Sequence, residues 1–506
     1  MMQAITKSQM QKLDRQLINS KYNSSFELLR YAGEQIAKKL MNHLSSVDNV
    51  VIVCGLGNNG GDGLVMGEYL IKHNIPCSIF ILNNQRCSND NYQQQEVLST
   101  LNIPVHVISE DFDFFKQQLY YATYVVDALY GIGLNKSIDQ EGCKVIDLIN
   151  ECNKQVVSID INSGLYTDSG FKSNACVNSH LTYAVGAYKP AHFLFDGLDV
   201  AKRVELVDIG ISLNHEHIIE KIKQDEIEVV LPNRKMNVHK YMFKHVCVIG
   251  GSPSMMGAPA LSVSAALRSG CGLVSYALAH ELVKYKIPLP YEAMTPIYFD
   301  QLSLKEILVK KDVVVYGNGV SKQTPNIDVL SVIFDCECPC IIDGDGLYHL
   351  SLHKNLNHQS RLILTPHVNE LSILANTPIE AIKQDIVSVI QAVAKKYNAT
   401  VLLKGPTTIV CHNDKISIFE CGHSGLASAG TGDVFAGILA SMVGLFNKTM
   451  DAILATLKVY HQASILAKEK LGIWGMIASD VINELPHALE IIDDFSLRHD
   501  KIYIDK

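Results

Sequence analysis

Short runs of β-branched and aromatic residues alternate with stretches of helical apolar spacing, and this alternation constrains the chain more than any other feature. The runs VVIVC (50–54), CSIFIL (77–82), VHVI (105–108), YVVDAL (124–129) and VVSID (156–160) follow one another with helical segments between them. Strands joined through helices lie parallel in one sheet, with both faces covered. Residues 8–43 read as helix before the first run. Ser8 caps its start, and Met10, Leu13, Leu17, Leu28, Leu29 and Ile36 supply its apolar faces. The pattern fades after VELVDIGI (204–211), and the polar stretch SLNHEHIIEKIKQDEIE (212–228) is the linker candidate. A second series opens at HVCVIGG (245–251). It continues through DVVVYGNG (312–319), CIIDGDGL (340–347), LILTPH (362–367), TVLLKG (400–405) and TIVCH (408–412), and ends in long helices. No repeat period relates the two series. The expectation is two different α/β domains, 1–215 and 225–506, joined near residue 220. At 506 residues the chain is also too long for one core.

Composition narrows the partners. A net charge of -8 argues against a nucleic-acid surface. Thirteen scattered cysteines suit free thiols in a reducing cytosol. The tightest cluster, Cys336, Cys338 and Cys340 in CECPC, has no second cluster at zinc-site spacing and reads as the approach to a strand. The N-terminal MMQAITKSQMQKLDRQ lacks the apolar centre of a signal peptide. The longest apolar stretch, FAGILASMVGLF, falls short of the roughly 20 residues that a membrane span needs. A cytoplasmic protein without membrane or nucleic-acid partners is expected.

In a doubly wound sheet, ligands bind beyond the carboxyl ends of the strands. Three polar features of the first half sit there. GLGNNGGDG (55–63) fits G-x-G-x-x-G at Gly55, Gly57 and Gly60. A dinucleotide fingerprint also wants an acidic residue about 20 positions on, but the next strand ends in Asn83 and Asn84. Asn58, Asn59 and Asp62 are additions that a plain pyrophosphate turn does not need. The second feature is Asp127, followed by the Gly131–Gly133 turn. The third is Asp160, followed by Asn162 and Ser163. Oxygens of Asn59, Asp127 and Ser163 could converge on a hard cation. Alternatively, each residue caps a helix or shapes a turn.

GLGNNGGDGLVMGEYL, VVDALYGIGL, SIDINSGLYTDSG and TYAVGAYKPAHFLF, taken in this order, resemble the successive motifs of the NAD(P)HX epimerases over residues 1–215. The resemblance implies a Rossmann-like doubly wound domain that binds hydrated NADH or NADPH, with potassium held by Asn59, Asp127 and Ser163. It implies substrate contacts from Asn58, Asn59, Gly60, Gly61 and Asp62, from Gly131, Ile132, Gly133, Leu134, Asn135, Lys136 and Ser137, and from Asp160 as the acid/base residue. The family usually has proline where this chain has Asn162.

In the second half, SAGTGDVFAGIL (428–439) aims the N–H groups of Gly430, Thr431 and Gly432 at the start of a helix. Asp433 in the first turn could take a proton from a substrate hydroxyl as phosphate arrives, or it could only cap the helix. LLKGPTTIV places Lys404, Thr407 and Thr408 at a turn between strands. LTPHVNEL ends a strand at Pro366, His367, Asn369 and Glu370. No G-x-x-x-x-G-K-[ST] occurs in this half, which excludes a P-loop.

These motifs resemble the ribokinase-like superfamily and, with VIGGSPSMMGAPALSVSAALRSGCGLVS, DGDGL, SGLASAGTGDVFAGILA and ASDVINELP in order, its NAD(P)HX dehydratase branch. That branch implies an α/β/α sandwich with substrate contacts at Ala258, Gly319, His367 and Asp433. It implies nucleotide contacts at Lys404, Gly405, Pro406, Thr407, Thr408 and Gly432, with ADP as co-substrate and Mg2+. Two departures stand out. Asn318 replaces the family's proline and is expected to loosen its turn. His423 and Ser424 stand where asparagine is commoner. Together the halves imply a bifunctional enzyme, expected as a homo-oligomer, that epimerises NAD(P)HX and dehydrates its S form. The rival readings are a vitamin or sugar kinase with a nucleotide-sensing domain, and an N-terminal interaction module without turnover.

Overall fold

The computed structural model describes residues 2–83, 85–213, 218–285, 287–323, 328–353, 357–358 and 361–504, so Asn84 of the second strand's end lies outside the described residues. The chain divides into two compact units, Met2–Glu220 with Glu380–Val387, and Lys221–Ile379 with Ser388–Lys506.

In the first unit a short strand β1 (Met2–Ala4) precedes β2 (Val50–Cys54), β3 (Cys77–Ile81), β4 (Val105–Val107), β5 (Tyr124–Ala128), β6 (Gln155–Ile159), β7 (Leu181–Val185) and β8 (Val204–Val207). The last seven form a parallel sheet in the order β4-β3-β2-β5-β6-β7-β8. Strand order reverses between β2 and β5, and both of those strands lead into candidate site segments. Alternate residues of β2 feed two separate cores. Val50, Ile52 and Cys54 join the cluster with Ile36 and Leu40, while Val51 and Val53 join Phe80, Phe115 and Val145. Both sheet faces are therefore covered, as the apolar runs require.

The N-terminal helical stretch is two helices, Lys7–Lys21 and Ser25–Met41. Thr6, not Ser8, caps the first, in a capping box with Gln9. Ser24 accepts the Glu27 N–H and starts the second, so the uninterrupted helix read over 8–43 is broken at 22–24.

The second unit's sheet contains β9 (Ile219–Ile222), β10 (His245–Ile249), β11 (Leu273–Ala279), β12 (Ile297–Tyr298), β13 (Val313–Tyr316), β14 (Cys340–Ile342), β15 (Leu362–Leu364), β16 (Ala399–Leu403), β17 (Thr408–His412) and β18 (Lys415–Phe419). Their order is β9-β18-β17-β16-β15-β14-β13-β10-β11-β12. β10 through β16 pair in parallel, and β16-β17-β18 turn back on each other antiparallel. The proposed linker is thus partly built into the fold. Residues 214–217 lie outside the described ones, but β9 buries Ile219 and Ile222. Cys340 opens β14, as the strand-approach reading of CECPC expects. The unit closes with helices Thr431–Leu445, Thr449–Gly475 and Ala478–Ile504. Among the described residues no helix is long and apolar enough to cross a membrane.

Candidate active sites

The first site is built on the turn after β2. A methyl group at Gly55 would lie 1.8 Å from the Leu129 carbonyl oxygen, and one at Gly60 would lie 1.9 Å from that of Gly55. The Asn91 amide donates to the carbonyls of Gly55 (3.1 Å) and Gly57 (2.9 Å) and fixes the turn. Helix Asn58–Lys72 begins there, and its N-cap, Gly57, makes no side-chain bond. Asn59 is therefore not the helix cap. Among the described residues its buried amide nitrogen and oxygen both lack a partner, and its Oδ1 lies 3.1 Å from where a methyl on Gly131 would be.

Asp127 caps no helix either. It is fully buried in β5 and accepts from Ser158 Oγ (2.8 Å), Ser163 N (2.9 Å), Ser163 Oγ (2.5 Å) and Leu129 N (3.2 Å). Burial raises its pKa, and these neutral donors pull the other way. Ser163 Oγ in turn accepts from Tyr130 N at 2.7 Å, tying the ends of β5 and β6 together.

A cavity of about 730 Å³ opens at this end of the sheet. Asn58, Asn59, Asp62, Asp160 and the run Gly131, Ile132, Gly133, Leu134, Asn135, Lys136 and Ser137 line it. Gly60 and Gly61 do not line it; they are buried under the turn, Gly61 against Leu29.

Two charged residues that the sequence did not single out belong to this site. Lys189, with no exposed surface, forms an ion pair with Asp160 and donates to the Val185 carbonyl at 2.8 Å. Asp160 takes a left-handed backbone conformation (φ 64°) and also accepts from Val185 N at 3.1 Å. His192 locks this arrangement. Its Nδ1 accepts from Lys189 N (3.1 Å), which leaves Nε2–H to donate to the Asp160 carbonyl (2.8 Å). Burial and the Lys189 charge push its pKa down to about 4, so the ring is neutral. The second unforeseen residue is Asp14, from helix Lys7–Lys21, which lines the same cavity. Burial raises its pKa to about 6, with Lys189 opposing and Asp160 adding to the shift. Burial, Asp160 and Asp14 raise Asp62 well above the usual carboxylate range.

The second site gathers around the start of helix Thr431–Leu445. Gly430 is its N-cap, at φ 88°, and makes no side-chain bond, so the first-turn N–H groups are not used up by a capping side chain. Thr431 Oγ1 donates to the carbonyls of Leu426 (3.0 Å) and Ser428 (2.9 Å) and holds the approach. Asp433 does not cap this helix. Its Oδ1 accepts from Asn318 Nδ2 at 2.7 Å, and the same amide donates to Asp343 Oδ2 at 3.1 Å. Asp343 also accepts from Thr365 Oγ1 (2.7 Å) and forms an ion pair with Lys404.

Asn318 therefore does not loosen its turn: it is buried and bridges two carboxylates. Burial first, then the Asp343 charge, raises Asp433 to about 6, while Asn318 and Lys404 oppose the shift. Burial likewise lifts Glu370 to about 7 against the pull of Lys404. Burial works against the Lys404 charge, but Asp343, Glu370 and Asp433 outweigh it and raise its pKa.

A methyl on Gly432 would lie 3.3 Å from Lys404 Nζ, so that ammonium sits at the helix start. Gly319 (φ 72°) packs on Ala258, where an added methyl would be 2.9 Å from the alanine Cβ. His367 heads helix Val368–Ala375, its Nδ1 accepting from Asn369 N and Glu370 N. In the hairpin between β16 and β17, Gly405 and Pro406 are exposed, whereas Thr407 and Thr408 are buried and Thr408 Oγ1 accepts from Cys421. Lys404, Gly405 and Pro406 are thus the parts of that hairpin best placed to meet a ligand.

Residues 25–191 match the family described as YjeF-related protein N-terminus, and residues 246–487 match the NAD(P)H-hydrate dehydratase family. The chain is 29% identical to the bifunctional NAD(P)H-hydrate repair enzyme of Moorella thermoacetica, over 97% of this chain and 98% of that protein. It is 27% identical to the enzyme of the same name from Escherichia coli, over 91% and 88%. A Bacillus subtilis ADP/ATP-dependent NAD(P)H-hydrate dehydratase, co-crystallised with ATP and Mg2+, is similar at 20% identity and a TM-score of 0.48, covering 54% of this chain and 99% of that one. Two family matches in the expected order, with relatives alike along nearly the whole chain, show that it belongs to the bifunctional NAD(P)H-hydrate repair enzymes.

Proposed function

We propose that the chain repairs hydrated NADH and NADPH, the first unit interconverting the R and S epimers and the second dehydrating the S epimer. ADP is the expected phosphate donor, and Mg2+ enters with it as part of that substrate. The two reactions belong together: water adds to either face of the reduced ring, and a stereospecific dehydratase would repair only one product.

The observation that carries the second activity is the Asp433 carboxylate. It stands beside an open helix N-terminus yet is held by Asn318 instead of capping the helix. Asp433 takes the proton of the ring hydroxyl, and that oxygen attacks the terminal phosphorus of ADP as the bridging P–O bond breaks and AMP leaves. The N–H groups of Gly430 to Gly432 and the Lys404 ammonium stabilise the phosphate charge. Hydroxide is a poor leaving group. Once esterified, the oxygen departs as phosphate while the neighbouring ring carbon loses a proton, which restores the double bond. A phosphate-transfer site thereby serves a lyase reaction.

The oxygen set of Asn59, Asp127 and Ser163 fits a potassium ion. Among the described residues, Asn59 offers a buried amide oxygen without a partner, and Asp127 is a buried carboxylate held by the neutral donors Ser158, Ser163 and Leu129 N. These residues would hold the ion, which supplies a fixed positive charge beside the start of helix Asn58–Lys72. Asp127→Ala should therefore weaken epimerisation and its response to potassium, leaving dehydration of pure S hydrate intact. A mutant with the wild-type potassium response would return Asp127 to shaping the β5–β6 turn.

The overall reading is tested by incubating the protein with mixed NADH-hydrate epimers, with and without ADP or ATP. Chromatography follows the epimers, and near-ultraviolet absorbance follows regenerated NADH. Nucleotide-independent equilibration and nucleotide-dependent NADH are the expected results. A stable phosphorylated product would favour the kinase reading instead, and no NADH with either nucleotide would refute the dehydratase.

A further inference from the structure

Epimerising a hydroxylated carbon needs a proton donor where the hydroxyl leaves and a proton acceptor where water returns on the opposite face. One carboxylate cannot hold both positions while the ring stays in place. The cavity of the first unit is lined by four carboxyl groups: Asp160 after β6, Asp62 in helix Asn58–Lys72, Asp14 in helix Lys7–Lys21, and Asp139, which is engaged as the N-cap of helix Gln140–Glu151 and accepts from Gly142 N. Asp160, the acid/base residue that the family resemblance implies, is paired with the Lys189 ammonium and accepts from Val185 N. The charged groups facing Asp14 are Lys189, Asp160 and Asp62. A group that cycles its proton at each turnover works best with a pKa near the working pH. Asp14, at about 6, meets that condition, whereas burial, Asp160 and Asp14 hold Asp62 well above the usual carboxylate range.

We propose that Asp14 is the second catalytic residue of the epimerase, giving and taking the proton on the ring face opposite Asp160. The proposal rests on the epimerase reading of this cavity. When water adds to an enamine, the hydroxyl settles on the carbon next to the ring nitrogen. The Asp14 carboxylic acid protonates that hydroxyl, the C–O bond breaks with its electron pair leaving on water, and the nitrogen lone pair forms C=N+. Water then attacks the other face, Asp160 takes its proton as the new C–O bond forms, and the C=N+ pair returns to nitrogen. The site is left with Asp14 ionised and Asp160 protonated. That is the starting state for the reverse epimerisation, and proton exchange with solvent resets it.

The test is the pH dependence of epimerisation kcat/KM in the full-length protein, measured without nucleotide. In the direction that Asp14 starts as acid, the wild type should lose rate about tenfold per pH unit above roughly 6. Asp14→Asn should lose this alkaline limb and fall by about 10²–10⁴-fold at its plateau, with dehydration of pure S hydrate retained. Asp62→Asn should keep the limb whatever its rate. A folded Asp14→Asn protein that keeps the limb, or more than a tenth of the rate, overturns the proposal. A wild-type profile that stays flat from pH 6 to 8 also overturns it, with no variant needed. A wild type that equilibrates no epimers at any pH would instead remove the epimerase reading itself, and this assignment with it.

Discussion

Asp433→Asn should lower the dehydration rate by about 10²–10⁴-fold, the usual contribution of a general base. The amide keeps the shape of the carboxylate and removes only its affinity for a proton. Nucleotide affinity should hold or tighten, because the anion site is made by backbone N–H groups and one negative charge is gone. Epimerisation should be unchanged. The wild type should also show an acid limb. Asp433, raised to about 6, is an ionised base above that pH and a protonated non-base below it, so kcat/KM should fall about tenfold per unit as pH drops through this range. An asparagine side-chain oxygen at 433 can still accept from Asn318 Nδ2. A purely structural Asp433 would make the substitution nearly silent, and a mutant retaining more than roughly a tenth of the rate would exclude it as the base.

The second large effect is expected from Lys189→Met. Methionine fills similar volume but leaves Asp160 in a largely buried site without its counter-charge. Breaking a buried pair from one side typically costs about 3–5 kcal/mol, to be read as a lower denaturation midpoint of the first unit. Epimerisation should be lost with it. Lys189→Met combined with Asp160→Asn should recover most of the stability, since the orphaned charge is then gone, but not the activity. A single variant within about 1 kcal/mol of wild type would show that the pair does not hold Asp160 in place.

The sheet cores were legible because β2 to β6, and β10, β13 to β17 in the second unit, are short runs dominated by β-branched and other apolar residues and ended by polar or glycine residues. β1, β7, β9, β11, β12 and β18 were not read. LTYAV and LVSYALA mix hydroxyl-bearing residues and alanine into the run, and their apolar periodicity is weak. The break at 22–24 was hidden because apolar spacing continues across it, and only the Ser24 cap ends one helix and begins the next.

Asp160 and Asp433 could be found because each lies at a strand end or in a helix's first turn, inside a recognisable motif. Their partners could not. Lys189 meets Asp160 across 29 residues, Lys404 meets Asp343 across 61, and Asn318 meets Asp433 across 115. No local pattern encodes such a meeting; the sheet brings strand ends together. The one local signal was a lysine within the otherwise apolar YAVGAYKPAHF.

The turn between β2 and its helix carries a consequence for how this protein tolerates change. Two of its glycines exist because another stretch of backbone occupies the space of a side chain: Leu129 at Gly55, and Gly55 at Gly60. Nothing lies within 4 Å of a methyl placed on Gly57. Substitution should therefore be absorbed at 57 and refused at 55 and 60, since a carbonyl cannot rotate out of the way as a side chain can. Two of three positions in a sequence pattern usually associated with dinucleotides are thus fixed by the chain's own interior, and a library randomised over these nine residues should recover them even under selection for folding alone.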